Sequence, residues 1–213
     1  MLTIEKLKKQ YKAGKPIFEN VSKTFKPGSC TGIIGPNGSG KTTFLRILSV
    51  NSFPTSGNVF YKESNIHKNP TDYLKNVGLV HDQESMPEHL TAVELLEWIL
   101  RSRNLWDKQS KEKIKNLLDK LELVERDQPI GTYSTGMKKK TQIAAAFIIQ
   151  PEVLIMDEPL RGLDESTRNT VIELINSSKK KNCLILMASH SMGTDHEIFD
   201  EVLQFPLISS AEK

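Results

Sequence analysis

The spacing of apolar positions changes along this chain. Leu2, Ile4 and Leu7 fall at uneven intervals, which fits a short strand. Thr31–Ile34, Val59–Tyr61 and Val77–Val80 read as further strands. Val153-Leu-Ile-Met156 and Leu184-Ile-Leu-Met187 are apolar without a break. Short runs of that kind fit strands buried on both faces, as in a parallel sheet. Lys26-Pro-Gly28 and Pro54-Thr-Ser-Gly57 punctuate the strand-bearing first part. From Thr91 the period becomes helical. Thr91-Ala-Val-Glu94 has the form of a capping box, with Leu95, Leu96, Ile99 and Leu100 behind it. A second helix from about Ser110 places Ile114, Leu117, Leu118 and Leu121 on one face. A third runs from Thr135 or Gly136 to Ile149 and stops before Pro151.

The helical block therefore sits between two strand-bearing parts and reads as an insertion in an α/β core. The expected division is one domain over 1–213, with its core at 1–81 and 150–213 and the helical insertion at about 82–149. Composition narrows the class further. The chain has 213 residues, 38% hydrophobic and 26% charged, with a formal net charge of +3. This is an ordinary globular balance, which excludes whole-chain disorder. Two cysteines, Cys30 and Cys183, exclude a disulfide scaffold and make a zinc site a poor fit. No apolar run approaches the roughly 18 residues of a spanning helix. The N-terminal residues lack the apolar stretch of a signal peptide, so the expected compartment is the cytoplasm.

The chemistry is concentrated in Gly35-Pro36-Asn37-Gly38-Ser39-Gly40-Lys41-Thr42-Thr43, which fits GxxxxGK[ST]. Ile33-Ile34 precedes it and a helix-like Phe44–Leu48 follows, the strand–loop–helix context that this motif requires. Glycines let successive N–H groups face a phosphate, and the helix start adds positive potential. Lys41 supplies a point charge for the β/γ-phosphates, and the Thr42 hydroxyl can ligate Mg²⁺. Downstream, the apolar run from Val153 ends in Asp157-Glu158-Pro159. Asp157 can hold Mg²⁺ through water, and Glu158 can position water as a general base.

With these motifs the chain resembles the ATP-binding cassette (ABC) family over nearly its whole length. Tyr133-Ser134-Thr135-Gly136-Met137 looks like the family signature in the form YSxGM, ahead of Asp157 at the usual distance. Thr135 replaces the first signature glycine, while Ser134 and Gly136 are kept. Arg161-Gly-Leu-Asp164 resembles the family's D-loop, and Ser189-His190 its switch histidine. Tyr11 lies where the family places an aromatic that stacks on adenine, with Phe18 as its rival. One motif departs from the pattern. The family's glutamine at the start of the insertion aligns with Asp82, and Gln83 is one residue late. Either Asp82 serves there, as a catalytic or metal-holding acid, or a one-residue shift brings in Gln83.

The resemblance implies an α/β P-loop NTPase of ABC type, with a mixed parallel-sheet core, an N-terminal antiparallel β part and an inserted α-helical subdomain. It implies an ATPase using ATP and Mg²⁺. Glu158, His190 and Asp82 would be the catalytic residues. Two copies would face head to tail, as a homodimer or paired cassette, with each nucleotide between one copy's Lys41 loop and the other's signature. Asp164 would belong to that nucleotide site. The work would go to a separate transmembrane permease docking near Asp82–Glu88. The chain would then lie peripherally at the inner face of the membrane. The YSxGM signature and short C-terminus look more like exporter-type ATPases than importers with regulatory tails. The alternative is an ABC-type ATPase acting on ribosomes or nucleic acid. Lys138-Lys139-Lys140 and Lys179-Lys180-Lys181 invite that reading, but no aromatic interleaving supports stacking on bases, and no direct nucleic-acid partner is expected. A kinase or GTPase would leave the signature and His190 unexplained.

Overall fold

The computed structural model describes residues 1–12, 14–81, 86–190 and 196–207, with the side chain of His196 left aside. The first strand, β1 (Leu2–Lys12), pairs antiparallel with β2 (Lys15–Phe25) and β4 (Ser56–Tyr61), and β5 (Ser64–Asn65) pairs with β4. The uneven spacing of Leu2, Ile4 and Leu7 has a physical cause. All three are buried, but Ile4 opposes Lys23 and Leu7 opposes Val21, so β1 spends one more residue than β2 over that step. The extra residue is a bulge, and Lys6 within it has φ 47°. The bulge returns Leu7 to the buried face that strict alternation would have denied it.

The second sheet is parallel throughout, in the order β6 (Val77–Val80), β7 (Val153–Asp157), β8 (Leu184–Ser189), β3 (Cys30–Ile34), β9 (Glu201–Gln204). The unbroken apolar runs are its central strands, and alternate residues enter different cores. Val153, Ile155, Leu184, Leu186 and Ala188 join the core shared with the antiparallel sheet and with α1 (Lys41–Leu48). Leu154, Met156, Ile185 and Met187 join the core beneath the helices α3 (Ala92–Ser102), α4 (Ser110–Lys120), α5 (Thr135–Ile148) and α6 (Glu165–Lys180). Each such side chain contributes about 1.5–3 kcal/mol on burial, so neither face can tolerate a polar alternation. The remaining helix, α2 (Pro70–Lys75), leads into β6.

Helices α3, α4 and α5 follow β6 and precede β7, and they pack on one another; α5 also packs on β6. The expected capping box is present. Glu94 N–H donates to Thr91 Oγ1 at 3.1 Å, and Thr91 N–H donates to Glu94 Oε2 at 2.8 Å. Among the described residues, no helix is long and apolar enough to cross a membrane.

Candidate functional site

The phosphate loop starts where buried strand β3 ends and finishes at Gly40, the N-cap of α1. Gly40 has φ 104°, and a β-carbon there would sit 2.4 Å from Ile17 Cγ2, so both backbone and space require glycine. Lys41 is 5% exposed, and its Nζ donates to Gly35 O at 2.6 Å and Pro36 O at 3.0 Å. The ammonium thus closes the loop on itself. Ser39 Oγ is buried in the same loop with no hydrogen-bond partner. A buried hydroxyl without a partner, beside a buried cation, suits an anionic oxygen.

The opposite wall comes from the ends of β7 and β8. Asp157 is 5% exposed and pairs in register with Ala188. The chain then turns sharply at Glu158, whose φ is 48°, a left-handed conformation unusual for a glutamate. Glu158 N–H donates to Ala188 O, which fixes the turn against β8. The turn aims the Glu158 carboxylate at the residue following β8. Glu158 Oε1 lies 2.5 Å from His190 Nε2, and Arg161 Nη1 lies 3.1 Å from Glu158 Oε2.

These walls enclose a cavity of about 350 Å³ lined by Ile17, Asn37, Gly38, Gly40, Lys41, Thr42, Thr43, Glu158, Arg161 and His190. The structure therefore gathers most of the loop with Glu158 and His190, from three separate stretches of chain. Arg161 was named from the sequence only as the start of the D-loop, with no role at the phosphate site, and Ile17 was not named at all. Arg161 could have been noticed as a cation three residues after Glu158, whereas Ile17 lies on a strand that the apolar spacing did not reveal. Gly35, Pro36 and Ser39 lie behind the cavity surface, as the carbonyls and the hydroxyl described above.

Thr42 lines the cavity while Asp157, at the end of β7, is not among its lining residues, and this sparse donor set suits magnesium better than a protein-caged metal. Thr42 offers one hydroxyl and Asp157 one carboxylate, and no cluster of three or more His, Cys, Asp or Glu ligands occurs among the described residues. Magnesium commonly takes one or two protein oxygens and fills the rest of its shell with water and phosphate.

Other expected residues lie elsewhere. Tyr11, the penultimate residue of β1, is 64% exposed, and Lys9 Nζ is 4.8 Å from its ring centroid. Ile17, on the paired strand β2, reaches the cavity, whereas Tyr11 itself does not line it. Phe18 is 1% exposed and packs edge-on against Phe44 at 5.6 Å between centroids. That burial removes it as a rival to Tyr11. Asp82 and Gln83 lie outside the described residues.

Ser134 and Gly136 begin α5, away from the cavity. Ser134 is the N-cap, its Oγ accepting from Met137 N–H at 3.2 Å. A β-carbon on Gly136 would lie 3.9 Å from Gly162 O, so the signature adjoins the D-loop of the same chain. Asp164 caps α6, its Oδ1 accepting from Thr167 N–H and its Oδ2 from Thr167 Oγ1, each at 2.8 Å. The Thr167 N–H holds the Asp164 carboxyl at about 2, below the ordinary aspartate value of 3.8.

The first lysine run is largely committed internally. Lys139 is 7% exposed and donates to His81 O at 3.1 Å, while Lys140 lies 3.5 Å from Asp164. The run therefore does not present three lysines to solvent. Lys139 also ties the signature helix to the residue after β6. Burial, with Arg46 nearby, holds the His81 imidazole below its ordinary value.

The profile of the ABC transporter family matches residues 18–161. The arginine transport ATP-binding protein ArtM of Bacillus subtilis (strain 168) is 32% identical over 210 residues, covering 95% of this chain and 86% of that one. The linearmycin resistance ATP-binding protein LnrL of the same organism is 33% identical over 203 residues, covering 95% of this chain and 65% of that one. Among solved structures, the ATP-binding subunit of an ABC transporter superposes with a TM-score of 0.89 at 25% identity, covering 96% of this chain and 85% of that one.

Proposed function

This chain belongs to the ABC transporter family as an ATP-binding, ATP-hydrolysing cassette, and from that premise we propose that it works in pairs to drive a separate membrane permease. The observation that carries the pairing is the split between its motifs. The cavity holds the phosphate loop, Glu158 and His190, but none of the signature residues. A second copy, placed head to tail, would bring Ser134 and Gly136 over the γ-phosphate with the start of α5 behind them. Such a helix start favours an anion.

Within one half-site, the loop amides and Lys41 hold the phosphates, and the exposed Tyr11 stacks on the base. Thr42 and Asp157 would hold Mg²⁺, which neutralises charge on the β- and γ-phosphates when bound. Glu158 accepts a proton from the attacking water. His190, already within reach of Glu158, orients that carboxylate and contacts the γ-phosphate. Arg161 anchors the other carboxylate oxygen. Asp82 or Gln83 completes the site at the entry to the helical insertion. The core is assigned to 1–81 and 150–213 and the insertion to about 82–149. ATP bound between two copies favours the closed pair, and hydrolysis removes the bridging group, so the cycle biases two states by differential contacts.

The named relatives differ in cargo, one by arginine transport and one by linearmycin resistance. We infer export from the form of the signature. The permease would hold the chain at the inner face of the membrane. Purification of the tagged chain from detergent-solubilised membranes tests this reading. A polytopic membrane protein recovered in stoichiometric amount, with turnover raised by its presence, is the expected result. Recovery with ribosomes instead would overturn it.

A further inference from the structure

A second cavity, of about 660 Å³, lies where β7 and β8 begin. Val153 and Leu184, the first residues of those strands, form part of its lining. At the other ends of the same strands, Asp157 is the last residue of β7 and His190 follows β8. One wall is the outer part of α4, and the facing wall is the last part of α6. A volume of this size falls within the range that suits a drug-sized ligand.

The walls and the rim differ in chemistry. Leu117, Phe147 and Leu174 give apolar surface on three different helices or their ends. The rim carries four lysines and a single carboxylate, Glu152. That carboxylate is spent, because Lys62 lies 2.6 Å from it and the Tyr61 hydroxyl donates to it at 2.6 Å. Lys113 is 2.7 Å from Asp107. Lys120 and Lys181 have no ion pair among the described residues. Lys120 is the last residue of α4 and Lys181 is the C-cap of α6. Each helix end contributes roughly half a negative charge, less than the lysine beside it. A net positive rim therefore overlies an apolar interior.

We propose that this cavity binds a small amphipathic anion, a carboxylate on an apolar body, with its head between Lys120 and Lys181 and its body against Leu117, Phe147 and Leu174. A bare inorganic anion would leave the walls unused, and a neutral apolar molecule would leave the two cations uncompensated. The site is separate from the ATP cavity and does not depend on how ATP is used.

The test is isothermal titration calorimetry of decanoate into the full chain, below the micelle-forming concentration. One saturable site is expected. Decanol, which keeps the body and lacks the charge, should bind at least tenfold more weakly. The double variant Lys120→Glu with Lys181→Glu should weaken decanoate at least tenfold while lowering the melting temperature by only a few degrees, since both residues are exposed but each glutamate would face the negative end of its helix. Leu117→Trp, which fills the cavity from a half-buried position, should weaken decanoate as strongly and leave ATP affinity unchanged. Absence of saturable decanoate binding overturns the proposal. So does decanoate binding that decanol matches, or that both the charge reversal and the cavity filling leave intact.

Discussion

Glu158 Oε1 lies 2.5 Å from His190 Nε2, which joins the turn after β7 to the residue after β8. Glu158 reaches this partner because its backbone turns left-handed directly after the buried Asp157. Glu158→Gln keeps the size and a carbonyl acceptor but removes the base. Turnover should fall by about 10²–10⁴-fold while ATP binding survives. Phosphate release measured beside size-exclusion chromatography in Mg²⁺-ATP checks this, with an ATP-bound dimer expected to accumulate. A variant turning over at the wild-type rate would remove Glu158 from the role of base.

Arg161 touches the same carboxylate, but its side chain is 70% exposed. Exposed pairs contribute about 0–1 kcal/mol. Arg161→Ala should therefore change turnover by less than about fivefold, far below the effect of Glu158→Gln. Steady-state kinetics of the two variants side by side decides the ranking. Equal losses would show that the guanidinium acts on phosphate rather than on Glu158 alone.

For Lys41 the expected loss is in binding. Removing the only lysine of the phosphate loop takes away the point charge and leaves the carbonyls of Gly35 and Pro36 without their shared donor. Lys41→Ala should weaken ATP by about 100-fold or more, the equivalent of roughly 3 kcal/mol for a charged hydrogen-bonding group. Equilibrium binding of a fluorescent ATP analogue reads this directly, and near-wild-type affinity would contradict it.

How far the residues themselves disclosed this arrangement depends on distance along the chain. The phosphate loop was legible because its glycines, lysine and threonine are contiguous and their roles are local. The two-faced strands β7 and β8 were legible because unbroken apolar runs have few other homes. Strand β2 was not, since only Phe18 and Phe25 of its residues are fully buried and its other positions mix polar and apolar types. The bulge at Lys6 hid the true length of β1. The pairing of Glu158 with Arg161 depends on a left-handed turn that no residue type announces. Lys139 was the least legible, because a lysine flanked by lysines reads as solvated surface, whereas its ammonium is buried on a carbonyl of another element.

That burial gives a stability prediction. Lys139→Met keeps the aliphatic stem but leaves His81 O without this donor. The cost should be about 1–3 kcal/mol in urea unfolding. Its neighbour Lys138 has no such partner among the described residues, and Lys138→Met should stay within about 0.5 kcal/mol. Equal effects would mean that the His81 bond carries no stability.

Asp164 supplies a pH dependence whose sign is fixed by its cap. Its folded value of about 2 lies below the ordinary 3.8, owing first to the Thr167 N–H. The ionised cap thus stabilises α6 fully above pH 3.8 and loses that contribution as pH falls through 3.8 towards 2. Thermal melting of wild type and Asp164→Ala across this window should show the gap between them narrowing towards acid. A gap that stays constant would place the stabilisation in the neutral hydrogen bonds.

The separation of Ser134 from the phosphate cavity has a consequence for regulation by abundance. If each active site needs halves from two molecules, the rate for dilute free chain rises with the square of its concentration. A few scattered copies would then hydrolyse almost nothing, however much ATP surrounds them. A permease with two docking places changes that arithmetic by holding both halves at a high effective concentration. Fuel consumption would then follow the number of assembled transporters rather than the number of chains made, and surplus chain would be silent without any inhibitor.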